Sequence, residues 1–160
     1  MPETLDSLRQ KIMGKRLLIM GIGNRLRGDD AVGPLLMDRI QGKVIADVLD
    51  AGDVPENYLG VIESVRPQII LVADAVDFGG RPGEAALFSL DQLSNVTVST
   101  HNASLHLLFK VLQLEPPPDV LLLAIQPTNI VFGEFLSTPV AETLDMLTQI
   151  LSHDVMVAIN

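Results

Sequence analysis

Five short stretches, 16–21, 44–49, 68–73, 85–90 and 120–125, are apolar almost without interruption. A strand that faces water on one side alternates in polarity, whereas a strand covered on both sides does not. The runs therefore require layers above and below a sheet, and the intervening segments can supply them. Val32, Leu35, Leu36 and Ile40 recur at helical spacing, as do Leu59, Ile62 and Val65, then Leu105, Leu108, Val111 and Leu112, and finally Val140, Leu144, Leu147 and Leu151. Strand and helix in turn predict an α/β fold, a single-domain three-layer sandwich around a mostly parallel five-stranded sheet. The chain of 160 residues fits one such domain. Residues 1–14 form an N-terminal extension, 15–152 the body and 153–160 a tail.

Leu5, Leu8 and Ile12 predict a short amphipathic helix before the first strand. Thr138 as N-cap and Pro139 at the first helical position start the last helix. Beyond it Val155, Val157 and Ile159 alternate, which predicts an edge strand or a disordered end. Pro116 to Pro118 mark a connection.

Composition removes several classes of function. Lys and Arg number 11 against 20 Asp and Glu, a net charge of −9, which opposes binding to nucleic acid. The absence of cysteine excludes disulfides, thiolate metal sites and a cysteine nucleophile. Residues 1–11 carry Glu3 and Asp6 and no apolar signal core, and no run nears the roughly 18 residues that cross a bilayer. A soluble, cytoplasmic protein with no membrane partner is expected.

In an open α/β sheet the ligand crevice lies beyond the carboxyl ends of the strands. Three such ends carry acids: Asp29 and Asp30 after the first, Asp50 and Asp53 after the second, Asp74 and Asp77 at the third. Gly21-Ile22-Gly23 invites a dinucleotide reading, but Leu26 stands where the third glycine belongs, and Asp29 and Asp30 would meet a phosphate with like charge at the helix entrance. A cation suits this entrance better, although either acid can also cap the helix. Asp50 and Asp74 have an alternative use in Asx-type turns. Asp74 follows the buried run Ile69-Ile70-Leu71-Val72-Ala73, where a carboxylate costs several kcal/mol unless paired or bound to metal.

Histidine occurs only at 101, 106 and 153. His101 opens a helix; His106 lies about 140° round that helix and cannot share its site. Asp30, Asp74 and His101 together make a set suited to nickel, zinc, iron or manganese, with positions left open. There is no H-E-x-x-H and no G-x-S-x-G. Asp50-Ala51-Gly52 echoes the aspartic proteases, but the helix-rich pattern is wrong for their all-β fold.

Taken in order, Gly21-Ile22-Gly23-Asn24, Gly28-Asp29-Asp30-Ala31-Val32-Gly33-Pro34, Asp50-Ala51-Gly52 with Pro55-Glu56-Asn57, Asp74-Ala75, Thr100-His101-Asn102 and Gln126-Pro127 resemble the hydrogenase maturation endopeptidases, most closely the hydrogenase 3 type. The resemblance runs from about residue 16 to about residue 151. It implies a phosphorylase/hydrolase-like α/β enzyme that removes a C-terminal extension from the large-subunit precursor of a nickel–iron hydrogenase once nickel is inserted. It maps the metal-contacting and catalytic positions onto Asp30, Asp74 and His101, with Asp29 a cap or a supporting group. Nickel would come with the substrate, and no resident cofactor is expected. Thr128 departs from the Asp often found after Gln-Pro, which weakens any role of that loop in contacting a cofactor. The metal would polarise the scissile carbonyl or a water, or dock the substrate beside a general base, Asp50 or Asp74. A monomer or weak oligomer is expected. The rival reading is a non-proteolytic metal-binding or maturation chaperone protein on the same fold, and a nucleotide-binding module stands third.

Overall fold

Strand and helix alternate in the computed structural model, which describes residues 5–92 and 101–159. In chain order the elements are α1 (Leu8–Ile12), β1 (Leu17–Ile22), α2 (Val32–Ile40), β2 (Asp47–Gly52), α3 (Leu59–Val65), β3 (Ile69–Ala75), β4 (Ala85–Ser89), α4 (Asn102–Val111), β5 (Asp119–Ile125) and α5 (Thr138–Ile159). The sheet order is β2-β1-β3-β5-β4. All neighbours run parallel except the edge strand β4, which is antiparallel to β5.

The two continuous apolar runs at the centre, β1 and β3, are buried at every position. Because successive side chains point to opposite faces, Leu17, Ile19, Ile69 and Leu71 pack with α1, α2 and α5 through Leu8, Leu36 and Leu147. Leu18, Met20, Ile70 and Val72 pack with α3 and α4 through Ile62, Leu105 and Leu108. These are the two outer layers that the uninterrupted runs demanded. Fully burying one such Leu or Ile contributes about 1.5–3 kcal/mol, so the helices are held mainly by this contact rather than by their own propensity.

Three expectations are corrected. The second strand lies three residues later than its apolar run: β2 is an edge strand, only partly buried, while Val44 and Ala46 pack against the core before it begins. Asp50 therefore belongs to the strand rather than to the loop after it. The last helix takes its first carbonyl acceptor from Ser137, to which the Ala141 N–H donates at 2.9 Å, so the cap falls one residue before Thr138. The tail is helical as far as Ile159, neither edge strand nor disordered. Among the described residues no helix is long and apolar enough to cross a membrane.

The order in which strands are added reverses at β1, which has β2 on one side and β3 on the other, both parallel to it. The crevice of a parallel sheet opens at such a switch point, and the ends of β1, β2 and β3 surround it.

Candidate functional site

Asp30 is brought to the crevice by glycine. A Cβ on Gly21 would come within 2.5 Å of the Gly33 carbonyl oxygen, and one on Gly33 within 2.7 Å of the Ala73 carbonyl oxygen. Helix α2 thus sits with its first turn directly on the backbones of β1 and β3, closer than any side chain permits. Gly23, at φ +146°, bends the loop so tightly that a Cβ there would overlap the Asp30 carbonyl. The result is a buried Asp30 carboxylate that accepts the Asn24 N–H at 2.8 Å. These glycines thus seat the helix and bring the Asp30 carboxylate onto the Asn24 N–H.

Asp29 faces elsewhere. Its fully buried carboxylate accepts the Ser137 N–H (2.7 Å) and hydroxyl (2.8 Å), the Thr128 N–H (2.8 Å) and the Asn129 N–H (3.2 Å). No side-chain bond caps the turn or the helix. Asp29 is therefore the anchor of residues 128–137 rather than a helix cap. Thr128 contributes its backbone N–H to that anchor, a role any residue but proline can fill.

Asp74 is the last but one residue of β3 and is fully buried. Both its oxygens lie 3.2 Å from Nδ1 of His101, the residue that opens α4. The other ring nitrogen, Nε2, lies 3.4 Å from Oδ1 of Asp53. The imidazole is buried between two carboxylates, with Asp53 the more exposed of them. Burial alone would lower its pKa; the hydrogen bond and charge of Asp74, the charge of Asp30 and the contact with Asp53 outweigh it and raise His101 to about 9. Asp30 is also raised, chiefly by burial, with the Asp53 charge adding to it and the Asn24 N–H and the charges of His101 and Arg27 opposing.

One ligand atom from each of Asp30, Asp74 and His101 lies within 4.8 Å of the others. Three chain segments, the β1–α2 turn, the end of β3 and the start of α4, bring them together. Two carboxylates and an imidazole are hard and borderline donors, apt for a divalent transition metal.

Asp50 is not part of this trio. Its Oδ1 accepts the Gly52 N–H at 3.0 Å, the Asx-type bond, and its Oδ2 pairs with Arg25 at 2.8 Å. Arg25 also clamps Asp38 through two bonds of 2.6 and 2.9 Å, holding that carboxyl below the usual range. Gln126 is structural: its Oε1 accepts the Phe78 and Gly80 N–H groups and its Nε2 donates to Asp77. His106 and His153 are exposed and apart from the trio. Asp53 is the residue that motif reading passes over. Its place at the end of an acid-bearing strand is the one sequence signal for it.

The fold and the trio's geometry can be set beside known proteins. A family model described as HycI, hydrogenase maturation protease, matches residues 31–153. The hydrogenase 3 maturation protease of Escherichia coli strain K12 is 31% identical over 135 residues, covering 82% of this chain and 86% of the relative. A putative hydrogenase maturation protease of Methanocaldococcus jannaschii is 31% identical over 128 residues, covering 74% and 76%. Among solved structures, the [NiFe] hydrogenase maturation protease HycI of Thermococcus kodakarensis superposes with a TM-score of 0.78 at 30% identity, over 92% of this chain and 97% of that one. The chain belongs to the hydrogenase maturation protease family.

Proposed function

We propose that this peptidase removes a C-terminal extension from the nickel-loaded large-subunit precursor of a nickel–iron hydrogenase, and that Asp30, Asp74 and His101 hold the substrate's nickel while the bond is cut. The observation that carries the reading is the convergence of those three donors at the carboxyl end of the sheet, within 4.8 Å of one another. The separation between His101 Nδ1 and Asp74, 3.2 Å, suits neighbouring ligands of one ion, which at about 2.0–2.2 Å each sit roughly 3–3.5 Å apart. The imidazole carries a proton at neutral pH, and engaging the metal displaces it. The metal then takes the place of that proton between His101 and Asp74.

A nickel ion held by three residues keeps open positions for its own ligands in the precursor and for a water or the scissile carbonyl. Asp74 is the carboxylate nearest the imidazole and serves as general base if the ion leaves one of its oxygens free. Asp50 is tied to Arg25 and a turn and is the poorer base.

The test is cleavage of loaded and nickel-free precursor, followed by intact-mass measurement. The proposal expects wild type to cut only the loaded form without added metal, and His101→Ala to lose about 10²-fold in rate through misplacement of the peptide. Equal cutting of both precursors would remove nickel from recognition. Tight binding of loaded precursor with no mass change would favour the non-proteolytic chaperone reading.

A further inference from the structure

The segment between β5 and α5 carries a surface that the trio does not use. Val131, Phe132 and Phe135 are 55%, 71% and 91% exposed, and Leu26, from the loop after β1, is 61% exposed. The two loops are joined, since the Gly133 N–H donates to the Leu26 carbonyl at 2.8 Å. The chain has only six aromatic residues, and the other four, Tyr58, Phe78, Phe88 and Phe109, are buried or half-buried. Charge is also missing: between Asp119 and Glu142 the single charged residue is Glu134. Large apolar side chains exposed together on two joined loops point to an interaction site, and depletion of charge with aromatic enrichment is the signature of an interface centre.

This apolar rim is held in place. The Asp29 carboxylate gathers Thr128, Asn129 and Ser137, and the Asp29 N–H donates to the Asn129 carbonyl at 3.0 Å. A partner would find the loop already ordered, which spares the entropy of fixing it on binding. The anchor, Asp29, is also the immediate neighbour of Asp30, so the loop is tied to the same turn that carries one member of the trio.

We infer that Leu26, Val131, Phe132 and Phe135 form the docking face for the folded body of the precursor, bordering its metal, rather than for the peptide that is cut. This inference rests on the proposed function. These side chains are exposed and line none of the described cavities, so they suit insertion into pockets of a folded partner; an extended peptide is bound by a groove or a sheet edge instead. Binding energy gathered here is independent of the metal ligands and sets affinity for the precursor.

The test is the variant F132S/F135S, which alters only exposed side chains and keeps the wild-type thermal unfolding curve. With nickel-loaded precursor, KM and the Kd from titration calorimetry should both rise about tenfold or more, the scale of losing aromatic anchors. kcat at saturation and nickel binding by the free enzyme should stay within about twofold. Unchanged KM and Kd would overturn the inference, as would a fall in kcat alone. A wild-type dimer that the variant breaks, with precursor Kd unchanged, would assign the face to a second copy of the chain and overturn it too. If wild type bound loaded precursor tenfold more tightly than the variant but cut nothing, the docking face would stand and the proteolytic reading would fall.

Discussion

The adjacent acids Asp29 and Asp30 should respond oppositely to the same change. In Asp29→Asn the amide retains one acceptor oxygen where the carboxylate has two. With that oxygen kept toward the Thr128 and Asn129 N–H groups and the Ser137 hydroxyl, the new NH₂ faces the Ser137 N–H, donor against donor. One buried N–H is then unsatisfied, at about 1–3 kcal/mol, and the three surviving bonds fall from the charged class, about 1.5–3 kcal/mol each, toward the neutral class of about 1. These terms span about 2.5–9 kcal/mol, and no longer burying a charge offsets part of them; a net loss of about 3–5 kcal/mol is expected, a drop of roughly 10 °C or more in Tm for a domain this size. Asp30→Asn keeps its single bond to the Asn24 N–H through the amide oxygen and removes a charge that burial disfavours. It should cost under about 1 kcal/mol while nickel affinity of the folded protein collapses. Urea unfolding with linear extrapolation measures the first effect, and titration calorimetry with nickel the second. Equal stability losses in the two variants, or a loss below about 1 kcal/mol for Asp29→Asn, would refute the division of anchor from ligand.

Three further outcomes follow from the same geometry. In the metal-free protein, proton NMR should find His101 titrating near 9, and Asp53→Asn should lower that value by removing one of the carboxylates that favour the charged ring. Because the folded pKa is raised from 6.5, the stability it adds is complete below about 6.5 and is lost as pH rises through about 9. The wild-type urea midpoint should accordingly fall across that range by the equivalent of roughly 2–3 kcal/mol, and that of His101→Ala should not. Gly33→Ala should destabilise by about 1–3 kcal/mol, the usual scale of overpacking, because its Cβ meets backbone carbonyls at Ile22 and Ala73 that cannot turn aside. The displaced α2 should also weaken nickel binding, and calorimetry showing wild-type affinity would sever the link between helix seating and the site.

What the sequence reveals and what it hides divide along contact range. The central strands and helix faces are legible because burial imposes a period on neighbouring residues; Asp30 and Asp74 are singled out because the ends of parallel strands meet at one end of a sheet, and His101 because it is one of three histidines and opens a helix. The edge strand β2 escapes its apolar run because one side lacks a partner and the period is diluted. The tail misleads for a subtler reason. Val155 and Ile159 are two steps from Val157, a strand's spacing, yet Leu151, Val155 and Ile159 also stand four apart, which continues the spacing of Leu144, Leu147 and Leu151. A short apolar alternation contains a helical subset, and a helix already under way extends through it.

The acid doublet is the harder case, since nothing in Asp-Asp says which member does what. The structure separates them through local geometry. Residues 28–31 form a 3-10 turn, in which successive side chains diverge by about 120°, so two adjacent acids cannot face the same crevice. One must leave it, and a buried carboxylate that leaves needs donors. The partners Asp29 finds are 99 to 108 positions away in the chain, on a segment whose side chains at 131, 132 and 135 remain in water. A doublet at the entrance of a helix on a parallel sheet thus couples a crevice to its flank: the acid turned inward can meet a cation, and the acid turned outward fixes the neighbouring loop beside it.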